Sequence, residues 1–434
     1  MMATVSVDFS KTIGKIKPMH AVGQPPFLGV DFSMFHYLKE ASIPYSRLHD
    51  VGGSYGANRF VDIPNLFRDF SADENDPASY DFTFTDLLIT ALIENGIEPV
   101  FRLGVTIENY AKIKPYRIFP PSDPHKWARI CEHVIRHYTE GWADGFYYNI
   151  QYWEIWNEPD NFESVEENQM WHGTKEEYFA LYEAASKHLK ACFPHLSIGG
   201  YASCGFYAVT GASTTTGACS PRYQYFIDFF DAFLAYVKEH DCPFDFFSWH
   251  SYASEVETNV AFANYARRRL DEAGYTSTEQ SLNEWNPRAD EKGTLLHAAL
   301  TLSNMLALQN TSLDSAMFYD ARCGVGMYSG LFNCYTYEPL PTYYPFLAFG
   351  ELYRAGTQVT CDVQGESTYA LAAKSDKGGC VVVTNNSDKT VPLTLAVAGA
   401  DGVKACKIIA EGRLWEDCAL PNELAPYATV CVWY

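Results

Sequence analysis

The chain has 434 residues, 47% of them hydrophobic and 20% charged, an ordinary globular balance. Its 32 basic and 53 acidic side chains leave a formal net charge of −21, which disfavours nucleic acid and anionic membranes as partners and leaves a small neutral sugar open. No apolar run reaches the roughly 18 residues of a membrane span.

Met1–Lys17 lacks the apolar core and small-residue cleavage site of a secretory leader. The 12 cysteines include no Cys-x-x-Cys pair or metal-ligand cluster. Read as small buried hydrophobes kept reduced, they point to a cytoplasmic protein. The 15% aromatic content suits a carbohydrate site and a large core about equally.

Ala3–Phe9 is strand-like. Eight further short apolar runs are then predicted as strands: Pro18–Val22, Tyr45–Leu48, Glu98–Leu103, Gln151–Ile155, Ser197–Gly200, Asp245–Trp249, Gln280–Asn283 and Ser315–Tyr319. Most are apolar on both faces, as strands inside a parallel barrel must be. Helical patterns lie between them at Thr85–Asn95, His125–Tyr138, Tyr223–Glu239, Asn259–Ala273, Lys292–Gln309 and Thr342–Ala355. Another opens at the capping box Thr174-Lys-Glu-Glu177 and runs to about Cys192. This alternation predicts an α/β fold, a (β/α)8 TIM barrel over residues 16–354.

After Gly356 the texture turns to short strands between turn signals: Gln358–Asp362, Tyr369–Ala373, Gly379–Asn385, Val391–Val397, Ala405–Ile409 and Ala428–Tyr434. Residues 355–434, with 1–15 pairing in, are expected to form a β-sandwich accessory domain. Its apolar end, Val430-Cys-Val-Trp-Tyr434, suits internal packing or a homo-oligomer contact.

Two strings carry candidate chemistry. Trp153-Glu-Ile-Trp-Asn-Glu-Pro-Asp160 runs from the fourth strand into its loop, with Glu154 and Trp156 expected on the same side of the strand. Ser281-Leu-Asn-Glu-Trp-Asn-Pro287 ends the seventh strand. Glu158 and Glu284 would then face each other at the C-terminal rim, where barrel enzymes place their catalytic groups. Carboxyl groups about 5–5.5 Å apart support retaining glycoside hydrolysis, with one acting as acid/base and the other as nucleophile. The acid must hold its proton, and an ionised nucleophile nearby is expected to raise its pKa. Asn157 is placed to bond the sugar 2-hydroxyl.

These strings, with Tyr45-Ser-Arg-Leu-His49 and Asp245-Phe-Phe-Ser-Trp-His-Ser-Tyr252, resemble the clan A retaining glycosidases, and most of all glycoside hydrolase family 39, the β-xylosidase and α-L-iduronidase group. The resemblance covers about residues 16–354. It implies Glu158 as acid/base, Glu284 as nucleophile, a C-terminal β-sandwich, and no metal or cofactor. Two stretches depart from the family pattern: Asp50-Val-Gly-Gly-Ser-Tyr-Gly56, and Phe318-Tyr-Asp-Ala-Arg322 with Met327-Tyr-Ser-Gly-Leu331.

Supporting residues follow from strand ends. Tyr252 is expected to bond the nucleophile, and His250 to contact sugar hydroxyls or the nucleophile's surroundings. Arg47 is expected to orient Glu284 or Asn157, with His49 beside it on the same face. His20 at the first strand, Tyr319, Asp320 and Arg322 at the eighth, and Trp285 as a stacking platform are further pocket candidates. The sequence lacks His-Glu-x-x-His, Gly-x-Ser-x-Gly and nucleotide-binding glycine loops. The expected activity is exo-acting removal of a terminal sugar, first a pentose. Three alternatives stay open: an endo-acting glycanase, a non-catalytic sugar-binding barrel, and a metal hydrolase built on His20, His49 and His250.

Overall fold

The structure is a computed structural model, and it describes residues 2–29, 32–51, 60–106, 118–211, 220–287, 291–326 and 328–434. Gly52–Gly56 and Met327, part of the two departing stretches, lie outside the described residues, as does Cys219.

A long first strand, β1 (Ala3–Lys15), precedes the barrel. The barrel strands are β2 (Ala21–Gly23), β3 (Tyr45–Leu48), β4 (Glu98–Leu103), β5 (Tyr152–Ile155), β6 (Ser197–Ser203), β7 (Phe246–Ser251), β8 (Glu279–Trp285) and β9 (Ser315–Tyr319), closed in that order with β9 beside β2. All eight pair in parallel, and their residues are almost all buried, because helices cover the outer face and side chains fill the inner one.

The first barrel strand starts later than Pro18. Proline has no N–H, so Pro18 lends only its carbonyl, which accepts from Ala316 N, and the ladder proper begins at Ala21.

The helices are α1 (Phe35–Glu40), α2 (Ile63–Leu66), α3 (Thr83–Glu94), α4 (Pro124–Glu140), α5 (Lys175–Cys192), α6 (Pro221–Glu239), α7 (Val256–Ala273), α8 (Leu295–Leu308) and α9 (Tyr344–Ala355). The two short helices α1 and α2 have too few residues to show a period in sequence. The Thr174 box caps α5 reciprocally with Glu177. Asp123 accepts from His125 N and Lys126 N ahead of α4, whose proline sits at the first turn. Thr294 caps α8, so Lys292 stands ahead of the helix rather than in it.

The remaining strands are β10 (Thr357–Gln364), β11 (Thr368–Ser375), β12 (Gly378–Asn385), β13 (Val391–Ala398), β14 (Ala405–Ala410), β15 (Arg413–Asp417), β16 (Glu423–Leu424) and β17 (Thr429–Trp433). With β1 they form one nine-stranded mixed sheet, ordered β15-β14-β17-β12-β11-β10-β1-β13-β16. The expected sandwich is therefore a single curled sheet. One face closes on itself around Val5, Val7, Val381, Val383, Val430 and Val432. The other, through Leu371, Ala373, Val382 and Cys431, joins the core that includes Phe346 and Leu352 of α9. The apolar C-terminal string is taken up inside this sheet as β17. Among the described residues, no helix is long and apolar enough to cross a membrane.

Candidate active site

The floor of the barrel mouth is one buried polar network. Arg47, on β3, is 1% exposed and divides its guanidinium three ways: Nε donates to Glu154 Oε2 (2.7 Å), Nη1 to Glu284 Oε2 (3.1 Å) and Nη2 to Asn157 Oδ1 (2.5 Å). Glu154 also accepts from Ser248 Oγ at 2.5 Å and from Asn283 Nδ2. A buried cation and carboxylates are tolerable only with this degree of mutual satisfaction. Arg47 thus lies beneath the cavity and positions Glu284 and Asn157; it does not line the wall.

A bulge sets the nucleophile candidate. Trp249 pairs with Leu282, but the next pair is His250 with Glu284. The extra residue lets consecutive Asn283 and Glu284 both face the barrel axis, which strict alternation forbids. Trp285 then turns outward, fully buried and edge-on to Phe318 at 5.5 Å, so it offers no stacking face to a sugar.

The chain also departs from alternation after β5. Trp156 and Glu158 both have left-handed backbone, φ +71° and +47°. This is a strained state for non-glycine residues and recurs at functional sites. It turns Trp156 away from Glu154. The indole packs on Trp127 and Trp171 outside the barrel, and its Nε1 donates to Met170 O. Glu158 N, held by Ala202 O at 3.0 Å, leaves the carboxyl over the mouth.

His250 stands between the two acids. Its Nδ1 is 2.8 Å from Glu158 Oε1 and its Nε2 3.6 Å from Glu284 Oε2. One oxygen of Glu158, one of Glu284 and a His250 ring nitrogen all lie within 4.8 Å of one another. Asn161 Nδ2 donates to the other Glu158 oxygen (2.9 Å), and Tyr252 Oη donates to Glu284 Oε1. The side chains of Glu158 and Glu284 keep 15% and 8% of their surface exposed, enough for a ligand to reach both.

Burial and the Glu284 charge push the Tyr252 phenol well above its ordinary pKa, so it stays a donor. Burial pushes Glu284 up, reinforced by Glu158 and opposed by His250, Arg47 and Tyr252. Burial also opposes ionisation of Glu158, but the hydrogen bond and charge of His250 outweigh it and hold this carboxyl below its usual range. Burial lowers His250, yet the charges of Glu284 and Glu158 win and hold it above the ordinary histidine value. Both directions favour the proton on the imidazole over the acid, one hydrogen bond from Glu158.

The two acids open into a cavity of about 760 Å³. On one side it is walled by His49, Asp50, Tyr319, Arg322 and Tyr328; on the other by Asn161, Phe162, Tyr207, Arg222 and Phe226. Asn157 is on the wall, and because Arg47 claims its Oδ1 the amide NH2 is left for a ligand. Burial, with Arg102 and Arg47, holds His49 well below the ordinary histidine pKa, so its ring is neutral. Tyr319 Oη donates to Asp50 Oδ2 (2.7 Å) and accepts from Gln24 Nε2 (2.5 Å).

Two further expectations are corrected. His20 precedes β2, at the barrel end opposite the mouth. There it is bonded to Ser42 O, packed at a tilt against Phe349 and Tyr353, and pushed by burial to a pKa of about 3. It does not meet His49 and His250, so the imagined three-histidine centre is not assembled. Asp320 is fully buried behind Arg322, accepting from its N, Nε and Nη2, and does not line the cavity. Of the two surroundings expected for His250, the structure gives it the nucleophile's: it touches Glu158 and Glu284 and does not reach the cavity wall.

Sequence reasoning passed over Asn161, Asp50, Gln24 and Tyr207, which come from connections with no period to read, and Arg222, which falls in the first turn of α6 just ahead of the helix start that the sequence suggests. Asp160 closes the Trp153–Asp160 motif. It is fully buried on Ser203 Oγ and Cys204 N, and burial raises it to about 7.

The family model described as "Glycosyl hydrolases family 39" matches residues 58–275, half of the chain. The chain belongs to glycosyl hydrolase family 39. As a member of that family it is a glycoside hydrolase. It is 26% identical over 218 residues to a beta-xylosidase of Geobacillus stearothermophilus, a match covering 48% of this chain but only 38% of that protein. A beta-xylosidase of Caldicellulosiruptor saccharolyticus is 22% identical over 382 residues, 80% of this chain and 72% of that one. The crystal structure of a glucosidase from Croceicoccus marinus superposes with a TM-score of 0.80 at 20% identity, covering 100% of this chain and 98% of that one. It shares the fold of this family 39 chain.

Proposed function

We propose that the protein is a retaining, exo-acting glycosidase that removes a terminal sugar from a short oligosaccharide or small glycoside. The observation that carries this reading is the approach of Glu158 and Glu284 oxygens to within 4.8 Å across one cavity. That spacing fits the short separation of about 5–5.5 Å used in double displacement. It is shorter than the roughly 6.5–9.5 Å by which inverting enzymes separate their carboxyls to hold a water.

In this reading Glu284, steadied by Arg47 and Tyr252, attacks the anomeric carbon while Glu158 protonates the leaving oxygen. The proton that Glu158 delivers comes from His250 through their shared hydrogen bond, so that His250 is left neutral and Glu158 ionised once the leaving group has gone. In the second step Glu158 takes a proton from water, and the hydroxide equivalent releases the sugar from Glu284. The NH2 of Asn157 meets the 2-hydroxyl. The reaction needs no metal or cofactor in this scheme.

The cavity volume is within the roughly 300–1,000 Å³ of small-molecule sites, which favours exo over endo action. The described cysteines are all free thiols, in keeping with a cytoplasmic enzyme acting on imported glycosides. The beta-xylosidase relatives make a pentose the first sugar to test. The glucosidase of matching length makes glucose the second. A panel of aryl pentosides and hexosides decides between them.

Glu284→Ala should lower turnover on the order of 10⁴-fold or more. Azide should restore part of it, giving a glycosyl azide of inverted configuration. Near-wild-type turnover in that variant, or hydrolysis of every substrate with inversion, would overturn the assignment.

A further inference from the structure

Eleven of the arginines that the structure describes pair with a carboxylate. Among the described residues, Arg222 is the arginine left without such a partner, in a chain whose net charge is −21. It stands on the wall of the catalytic cavity, half-buried, at the start of α6.

It is also held in place. Its Nε donates to Asn161 O at 2.8 Å. Its guanidinium carbon lies 4.2 Å from the ring centre of Phe162 and 5.3 Å from that of Phe226. One edge is anchored and the plane rests on aromatic carbon, so the two terminal amino groups are presented together with little conformational freedom to lose. A fork of that shape matches a carboxylate bidentately.

The position says which part of a substrate would meet it. Glu158 Oε1 faces His250 and, beyond it, Glu284; Oε2 accepts from Asn161, the residue whose carbonyl anchors Arg222. Given the proposed roles, the scissile oxygen sits at Glu158 and the departing group extends to the side away from Glu284. That is the Arg222 side. The sugar being cleaved lies toward His49, Asp50 and Tyr319.

We propose that Arg222 is a specificity residue for the leaving group, and that the preferred substrates carry a carboxylate on the aglycone, as a uronic acid residue or a carboxylated aryl group does. This rests on the assignment of Glu158 as the acid. A single negative charge is favoured over a phosphate, because Glu158, Glu255 and Asp50 line the same cavity and would repel a second one.

The test compares matched leaving groups: 4-carboxyphenyl against 4-carbamoylphenyl glycosides, and a uronic-acid-terminated disaccharide against its neutral counterpart. Wild type should prefer the anionic member of each pair, with the preference shrinking as salt rises. In Arg222→Gln the anionic-to-neutral ratio of kcat/KM should fall on the order of 10- to 100-fold, and Arg222→Lys should recover part of it. The ratio cancels any general effect on Glu158 or on folding. A fall for the aryl pair alone assigns the site to aryl carboxylates; a fall for the disaccharide assigns it to uronates. A ratio unmoved in both pairs overturns the proposal. Calorimetric titration of Glu284→Ala, with and without Arg222→Gln, against the same glycosides reads the preference without turnover. If wild type cleaves none of the glycosides, the glycosidase assignment fails, while the titration still decides whether Arg222 selects a carboxylate.

Discussion

The barrel mouth and the curled sheet both bury most of their side chains, and they do so in opposite ways. The mouth buries Arg47, Glu154, Asn157 and His250 to 1% exposure or less. The sheet buries valines on both faces, so that β12 is covered from Gly379 to Asn385. Its buried polar groups are few and locally satisfied, as when Thr429 Oγ1 donates to Thr384 Oγ1 at 2.7 Å. Burying charge costs folding free energy unless every partner is present, whereas burying valine contributes it. The chemistry is thus built where the fold is least forgiving, and the sheet adds apolar surface at α9 behind it.

The sharpest break of this contrast pairs one substitution from each region. Arg47→Ala leaves Glu154 and Glu284 facing each other in the floor without their shared cation. A loss of about 3–5 kcal/mol in stability is expected, together with a drop in kcat on the order of 100-fold or more as Glu284 loses its orientation. Val430→Ala in the sheet should cost about 2 kcal/mol by lost burial and cavity formation, with unchanged turnover per folded molecule. Denaturant melts and active-site-normalised rates measure both. Equal catalytic damage from the two variants would erase the distinction.

Asp160 sharpens the comparison through pH. Its folded pKa is about 7, well above the ordinary value near 3.9, so the fold favours the protonated carboxyl. The associated stability is fully present below about pH 4 and is lost as pH rises through 7. Asp160→Asn keeps an acceptor for Cys204 N and removes the titration. Relative to wild type the variant should gain stability from pH 4 to pH 8, reaching on the order of a few kcal/mol. A difference between the two that stays flat across that range would show Asp160 to be ionised in the fold.

The same contrast explains what could be read beforehand. Tyr45–Leu48, Glu98–Leu103 and Ser315–Tyr319 were legible to the residue because their apolar runs are bounded by polar or turn residues, and the Thr174 box announced α5 outright. The edge strands β15 and β16 were not, because half-exposed edges carry no alternation. The acids could be placed from their motifs, yet what aims them could not. The bulge at Asn283 and the left-handed backbone at Trp156 and Glu158 are non-local compromises, and they invert the facing of Trp156 and Trp285 that alternation suggests. His20 failed for a simpler reason: the sequence suggests a strand-end residue at the open rim, whereas the strand begins only at Ala21 and leaves His20 ahead of it at the closed end.

The smallest expected effect is the most specific. Tyr252→Phe removes one hydroxyl from the mouth and leaves the ring, so stability should change little and kcat should fall about 10- to 100-fold. That hydroxyl donates to Glu284 and lowers its pKa. Without it the nucleophile ionises at higher pH, and the acidic limb of kcat/KM should move upward. A purely structural tyrosine would lower the rate without moving the limb, and a downward move would mean that the limb reports Glu158 or His250 instead. The direction of that one shift therefore tests whether the ionised form of Glu284 is what the surrounding donors are there to hold.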